Sequence, residues 1–110
     1  MPKRFTNSNY QSIIKQRNKN ATAQRLENFG ENVRYARKEW GFTAELFASF
    51  IGISAGHVGM IERAERTPSL ELFIKICNFL GEDMGEMLMP RTTHRLVLDG
   101  PSISKPFRPF

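Results

Sequence analysis

The stretch from Gly41 to Ser69, GFTAELFASFIGISAGHVGMIERAERTPS, predicts two short helices joined by a tight turn. Thr43 is placed to cap the first helix, because its hydroxyl can accept a hydrogen bond from a free N–H of the first turn. Gly52 ends that helix, since glycine reaches a left-handed conformation without steric cost. Ser54 then caps the second helix. The apolar residues of the two helices recur at the spacing of one helix face, at Phe47, Ala48 and Ile51 and then at Val58, Ile61 and Ala64.

Three further helices are expected on either side of this pair. One runs from about residue 21 or 22 to Trp40 with apolar residues on one face, and Gly30 inside it costs roughly 1 kcal/mol relative to alanine. The others are expected over 70–80 and 84–89. We therefore predict an all-α domain of five helices over residues 21–90. The residues that begin or end the last two helices are Pro68, Ser69, Gly81, Asp83 and Pro90.

The order T-x-x-x-F-A-x-x-I-G-I-S-x-x-x-V-x-x-I-E-R-x-x-R-x-P-S, from Thr43 to Ser69, resembles the helix-turn-helix of the Cro/C1 (XRE family) transcriptional regulators. The resemblance covers residues 29–89 and implies a five-helix lambda-repressor-like DNA-binding domain. In such a motif the second helix lies at a steep angle to the first and enters the major groove. The resemblance implies a sequence-specific regulator of transcription, a repressor that binds double-stranded DNA as a homodimer. Its dimer surface would be helix 5 and the C-terminal segment.

The resemblance also implies three groups of DNA contacts. Phosphates would meet the N-terminus of the first motif helix, where free N–H groups and the helix dipole favour an anion. Base edges would meet the exposed face of the second motif helix, and further phosphates would meet the loop that follows it. The DNA-binding residues expected on this basis are Thr43, Ala44, Ser54, Ala55, Gly56, His57, Gly59, Met60, Arg63 and Arg66.

Three departures from the family pattern bear on how DNA would be read. Ala44 stands where the family usually has a glutamine that bonds a phosphate, and Ala64 stands where it has glycine, so the backbone there is either strained or rearranged. No Arg, Lys, Asn or Gln lies between Ser54 and Ile61, although these residues supply the bidentate contacts to guanine and adenine. We therefore expect weak direct base readout, with phosphate contacts and groove shape contributing more.

Arg37 and Glu62 occupy the positions at which the resembling family pairs an arginine of helix 1 with a glutamate at the end of the recognition helix. The expected ion pair would be structural, tying helix 1 to helix 3. The alternative is two independent surface charges.

The net charge of +5 is unevenly distributed along the chain. Residues 1–26 contain six basic residues and no acidic ones, whereas residues 27–110 contain ten basic and eleven acidic residues. We therefore expect residues 1–20 to form a basic, flexible arm. Such an arm suits nucleic acid phosphates, although a disordered solubilising leader would have the same composition.

Exposed apolar residues suggest a rival function. By helical position Leu46, Phe50, Leu72 and Phe42 face away from the expected core, and contiguous apolar surface is typical of an interface. A protein-interaction module, or an antitoxin-like protein that binds a partner and has weak base readout, would fit a patch that includes Leu46 and Phe50. Packing of these residues against the arm or tail is the alternative.

The remaining features argue against catalysis and membrane insertion. No Cys/His spacing suggests zinc, no glycine-rich phosphate loop follows a strand, and no apolar run approaches the roughly 20 residues that span a bilayer. We predict no enzyme activity, no cofactor and no metal. The single cysteine, Cys77, fits a buried position and a reducing cytoplasm. We expect residues 91–110 to form a C-terminal extension, with a short strand over 94–98 that would pair across a dimer and then a proline-rich tail. The alternative is a tail that lies over the domain or is disordered.

Overall fold

The computed structural model describes residues 7–91, and over that range it contains five α-helices and no strand. The predicted all-α, five-helix fold is therefore confirmed. The strand considered for residues 94–98 and the tail beyond it lie outside the described residues. The helices are α1 (Asn7–Glu39), α2 (Ala44–Ile51), α3 (Ala55–Glu62), α4 (Leu70–Leu80) and α5 (Met84–Met87).

The predicted helix caps are confirmed. The Thr43 hydroxyl accepts a hydrogen bond from the backbone N–H of Leu46 at 3.0 Å, and the Ser54 hydroxyl accepts one from the N–H of His57 at 3.0 Å. Ser69 caps α4 and Asp83 caps α5 in the same way. Helices α2 and α4 both end at glycines in the left-handed conformation, Gly52 and Gly81. These local signals fix four of the five helix starts.

The start of α1 differs from the prediction. The sequence placed it at about residue 21, and the structure places it at Asn7, so the segment expected to be flexible is helical from there onward. Every side chain from Tyr10 to Arg25 is exposed except that of Ile14, which is half-buried. A helix whose side chains are mostly exposed and polar has little apolar stripe, and hydrophobic periodicity cannot reveal it.

The core lies where α1 crosses the four shorter helices. Phe29, Val33 and Ala36 of α1 share one buried cluster with apolar residues from all four of them. Phe42 and Leu72, which the sequence placed on the outside, are half-buried and pack against this core. Its other members are Phe47, Ala48, Ile51, Val58, Ile61, Ile76, Cys77, Leu80 and Met87.

Two buried asparagines of α1 attach the end of the domain. The Asn32 side-chain amide donates to the carbonyls of Met87 and Met89, each at 2.9 Å, and Asn28 donates to the carbonyl of Leu88 at 2.9 Å. The last carbonyls of a helix have no partner within it, so these bonds satisfy the carbonyl that ends α5 and those of the two residues after it. No local pattern in the sequence indicates this contact.

No single helix among the described residues is long and apolar enough to cross a membrane. Helices α2 and α3 pass that test of length and composition only when taken together, and they are bent by 104° relative to each other.

Candidate nucleic-acid interface

Helices α2 and α3 form a helix-turn-helix with a bend of 104° between them, within the range expected for this motif. The turn between Gly52 and Ser54 is short because the first is left-handed and the second caps the next helix at once. Val58 and Ile61 anchor α3 in the core with 1% and 2% of their surface exposed. The opposite face of α3 is therefore held outward in a fixed orientation.

The residues expected to read DNA lie along α3, and few of them carry a large side chain. Gly56 is exposed, while His57, Gly59 and Met60 are half-buried. Gly56, Gly59 and Arg63 follow one another at intervals of three and four residues, so they share a helix face. Two of its three positions have no side chain, so the shape of this face depends on the third, Arg63.

The N-terminus of α2 is the second expected contact. Thr43 is exposed, and its hydroxyl is engaged in capping Leu46. Ala44 is half-buried against the core and has no polar group for a phosphate. The donors that remain there are the O–H of Thr43, which capping leaves unused because the hydroxyl oxygen accepts, and the free backbone N–H groups of the first turn. The favourable end of the helix dipole adds to them.

Arg37 and Glu62 lie together in the structure. The Arg37 Nε donates to Glu62 Oε2 at 2.7 Å and Nη2 donates to Oε1 at 3.1 Å, which makes a bidentate pair. Nη1 also donates to the carbonyl of Phe42 at 2.8 Å, so one guanidinium connects α1, α3 and the start of the motif. Only 9% and 8% of the two side chains is exposed. The hydrogen bond to Glu62 raises the pKa of Arg37 despite the opposing effect of burial.

The end of α3 has a geometry that the sequence did not reveal. Ala64 adopts a left-handed conformation with φ 60°, and the N–H of Glu65 donates to the carbonyl of Met60 at 2.7 Å. The N–H of Ala64 donates to the carbonyl of Ile61 at 3.0 Å, which completes a Schellman motif with alanine in the usual glycine position. Of the two alternatives at Ala64, the structure therefore has the strained backbone, because a residue with a Cβ adopts the left-handed conformation there.

This turn brings Glu65 back onto Arg63. Arg63 Nε donates to Glu65 Oε2 and Nη2 donates to Oε1, both at 3.1 Å, and the two side chains are 60% and 54% exposed. The hydrogen bond from Arg63 lowers the pKa of Glu65. An exposed pair of this kind contributes little to folding. Its position beside α3 is what gives it functional interest.

A family model described as helix-turn-helix matches residues 33–87, which is half of the chain. The chain belongs to the helix-turn-helix family, in its XRE (Cro/C1) type. A curated relative is the "Uncharacterized HTH-type transcriptional regulator YazB" of Bacillus subtilis (strain 168). It is 36% identical over 64 residues, which are 58% of this chain and 93% of YazB.

Two solved structures also resemble this helix-turn-helix chain. The restriction-modification controller protein C.AhdI from Aeromonas hydrophila matches with a TM-score of 0.52 and 30% identity, over 58% of this chain and 96% of its own. The clp gene regulator ClgR from Corynebacterium glutamicum matches with a TM-score of 0.56 and 25% identity, over 67% and 80%. The chain is accordingly a DNA-binding transcriptional regulator and not an enzyme.

Two features of this helix-turn-helix protein lie apart from α3. Leu46 and Phe50 are 43% and 41% exposed, one turn apart on α2, and the Phe50 ring contacts those of Phe42 and Phe79. Cys77 is fully buried, and burial raises the pKa of its thiol to about 11, so it is neutral at physiological pH. No cluster of three potential metal ligands occurs within residues 7–91.

Proposed function

We propose that this regulator is a homodimeric repressor that binds a palindromic operator through α3. The observation that carries the proposal is the bend of 104° between α2 and α3, together with an outer face of α3 that the core does not use. A helix presented in this way can lie in a major groove. Repression then follows from occupying the promoter. The residues assigned to DNA contact are Thr43, Ala44, Ser54, Ala55, Gly56, His57, Gly59, Met60, Arg63 and Arg66.

Dimerisation is supported by the apolar surface at the end of the domain. Met84 at the start of α5 and Met89, two residues after its end, are 41% and 40% exposed, and the C-terminal segment follows directly. A second copy related by a twofold axis would cover these residues and place two α3 helices about one turn of DNA apart. The operator would then be a palindrome, with half-sites about one turn of DNA apart, or a multiple of one turn.

The N-terminal part of α1 would supply affinity that does not depend on sequence. Lys15, Arg17, Lys19 and Arg25 are all exposed on a helix that continues beyond the core, and no acidic residue precedes Glu27. Cations along a helix neutralise phosphates and release counterions. Affinity gained in this way would compensate for the small side chains of α3.

The test of this function is DNA selection from random fragments with the full-length protein at two salt concentrations. We expect an enriched palindrome that survives at the higher salt, and sedimentation at the mass of a dimer. If the selected DNA shows no palindrome and the protein sediments at the mass of a monomer, the proposed homodimer is contradicted. No DNA selection at either salt would favour the second candidate, a protein-interaction module, which the exposed Leu46 and Phe50 support.

A second experiment tests the arm. Replacing Lys15, Arg17 and Lys19 together by glutamine keeps the helix and removes three charges. We expect weaker binding to every DNA sequence alike, and a salt dependence that is less steep by up to about 0.9 in log–log slope per lost contact. The matched control replaces Gln11 and Gln16 by alanine on the same helix, which leaves the charge unchanged. Unchanged affinity and slope in the triple variant would show that α1 does not contact DNA.

A further inference from the structure

We propose that Arg63 reads a guanine in the major groove and that Glu65 positions it for that contact. This inference rests on the DNA-binding function proposed above, and it assigns the specificity of α3 to a residue at its end. The sequence showed no residue capable of bidentate base contact between Ser54 and Ile61. The structure brings such a group onto the face of α3 from Arg63, the C-terminal cap.

Arg63 lies back along α3 over Gly59. A Cβ built on Gly59 would stand 2.9 Å from Arg63 Nη1 and 3.6 Å from its Cζ, so the guanidinium occupies the space that a side chain at 59 would take. Side chains of helical residues lean toward the N-terminus, which is why residue 63 covers residue 59. Gly59 therefore leaves the space in which the Arg63 guanidinium lies, on the outer face of α3.

Glu65 leaves the guanidinium edge that guanine needs. It takes the edge formed by Nε and Nη2, and no hydrogen bond within residues 7–91 uses Nη1 or the second N–H of Nη2. An arginine bound to guanine donates two parallel bonds to O6 and N7. The Nη1–Nη2 edge can supply both while Glu65 holds the other edge. A carboxylate in this role lowers the freedom that the side chain would otherwise lose on binding.

The strained turn at Ala64 is what places the carboxylate. Its left-handed conformation reverses the chain immediately after α3, so residue 65 faces residue 63 across the turn. Non-glycine residues in this conformation are uncommon and carry a steric cost. The cost is incurred at the position that sets the distance between the two charged groups. The pair and its turn thus form one unit at the end of the recognition helix.

The experiment measures binding of full-length wild-type and variant proteins to the selected operator, with 7-deazaguanine replacing each guanine in turn. This base pairs normally but lacks the N7 acceptor. We expect the wild type to lose affinity at one guanine per half-site, and Arg63→Ala to be insensitive at that guanine. Arg63→Ala should lose about 5- to 150-fold in preference for guanine there, the range of one bidentate contact.

Two further variants test the space that Gly59 leaves for Arg63 and the carboxylate of Glu65 that positions it. Gly59→Ala should lose the same guanine preference without loss of thermal stability, because only the flexible end of Arg63 must move. In the Arg63→Ala background, Gly59→Ala should cause no additional loss of guanine preference. If the methyl group instead obstructed DNA directly, the additional loss would remain. Glu65→Gln should reduce the guanine preference while binding to unrelated DNA rises, since a negative charge is removed.

The matched control is Arg66→Ala, which removes the same charge three residues later and should weaken all sequences alike. An equal loss for all sequences in Arg63→Ala would overturn the inference and assign Arg63 to a phosphate. If Glu65→Gln binds every sequence more tightly and keeps the guanine preference, Glu65 only competes with DNA for Arg63. If the wild type selects a palindrome and Arg63→Ala keeps the same guanine preference, this inference alone is contradicted. A wild type that selects no sequence contradicts the proposed function as well.

Discussion

Replacing Gly30 by alanine is expected to lower the free energy of unfolding by about 3 kcal/mol, because the new methyl group has no space. A Cβ on Gly30 would lie 2.5 Å from the carbonyl oxygen of Glu62 and 2.6 Å from that of Ile61. Both atoms belong to the backbone at the end of α3, so no side-chain rotation relieves the contact. Helix α1 would have to move away from α3. The gain in helix propensity, about 1 kcal/mol, offsets only part of this cost.

Chemical denaturation of the variant and the wild type measures the difference. The matched control is Gly56→Ala on α3, where the nearest atom to a new Cβ is Ser54 Oγ at 3.9 Å. That variant should be at least as stable as the wild type, since the same methyl group enters open space. A Gly30→Ala protein as stable as its control would show that α1 and α3 do not approach each other as closely as the structure has them.

Gly30 shows how far local reasoning reaches. From the sequence it is only a residue that weakens a helix by about 1 kcal/mol. The requirement for it comes from backbone atoms more than thirty residues away, which no local pattern contains. Asn28 and Asn32 were missed for the same reason, because the carbonyls that they bond lie 55 to 60 residues further along the chain.

The elements that the sequence predicted correctly depend on neighbouring residues. The bounds of α2 and α4 were predicted as they stand, because a hydroxyl cap and a left-handed glycine each act within one turn of the helix. The first fourteen residues of α1 were missed because they are almost all polar and give too few apolar positions for a helical period. Hydrophobic periodicity reports burial, and a helix can form without it.

The sequence likewise predicted some features of the candidate site and not others. The positions of α3 residues followed from the motif, and their assignment to DNA contact stays a prediction. The Arg63 guanidinium over Gly59 could not be located from spacing, since it depends on the turn at Ala64. One signal was present in the sequence: an alanine at a position where the family has glycine. A strained residue marks a place where the surrounding structure fixes the backbone.

Removing either partner of the Arg37–Glu62 pair is expected to cost about 3–5 kcal/mol, because the remaining charge would be buried without its partner. The total stability of a domain of this size is roughly 5–15 kcal/mol, so Arg37→Ala and Glu62→Ala would each be partly or wholly unfolded near physiological temperature. Thermal unfolding followed by circular dichroism measures this loss. The double variant Arg37→Met with Glu62→Leu should lose less than the two single changes combined, since it leaves neither charge unpaired.

The comparison pair for this prediction is Arg63 with Glu65, which has the same residue types and the same bidentate geometry. Its side chains are 60% and 54% exposed, against 9% and 8% for Arg37 and Glu62. Water solvates a stranded partner at the exposed site, so Arg63→Ala and Glu65→Ala should unfold at nearly the temperature of the wild type. If all four single variants unfold together with the wild type, burial of the Arg37–Glu62 pair does not hold α1 against α3. If only the variants of the buried pair unfold at a lower temperature, the two ion pairs have separate roles. The buried pair then holds α3 against α1, and the exposed pair is available to contact DNA.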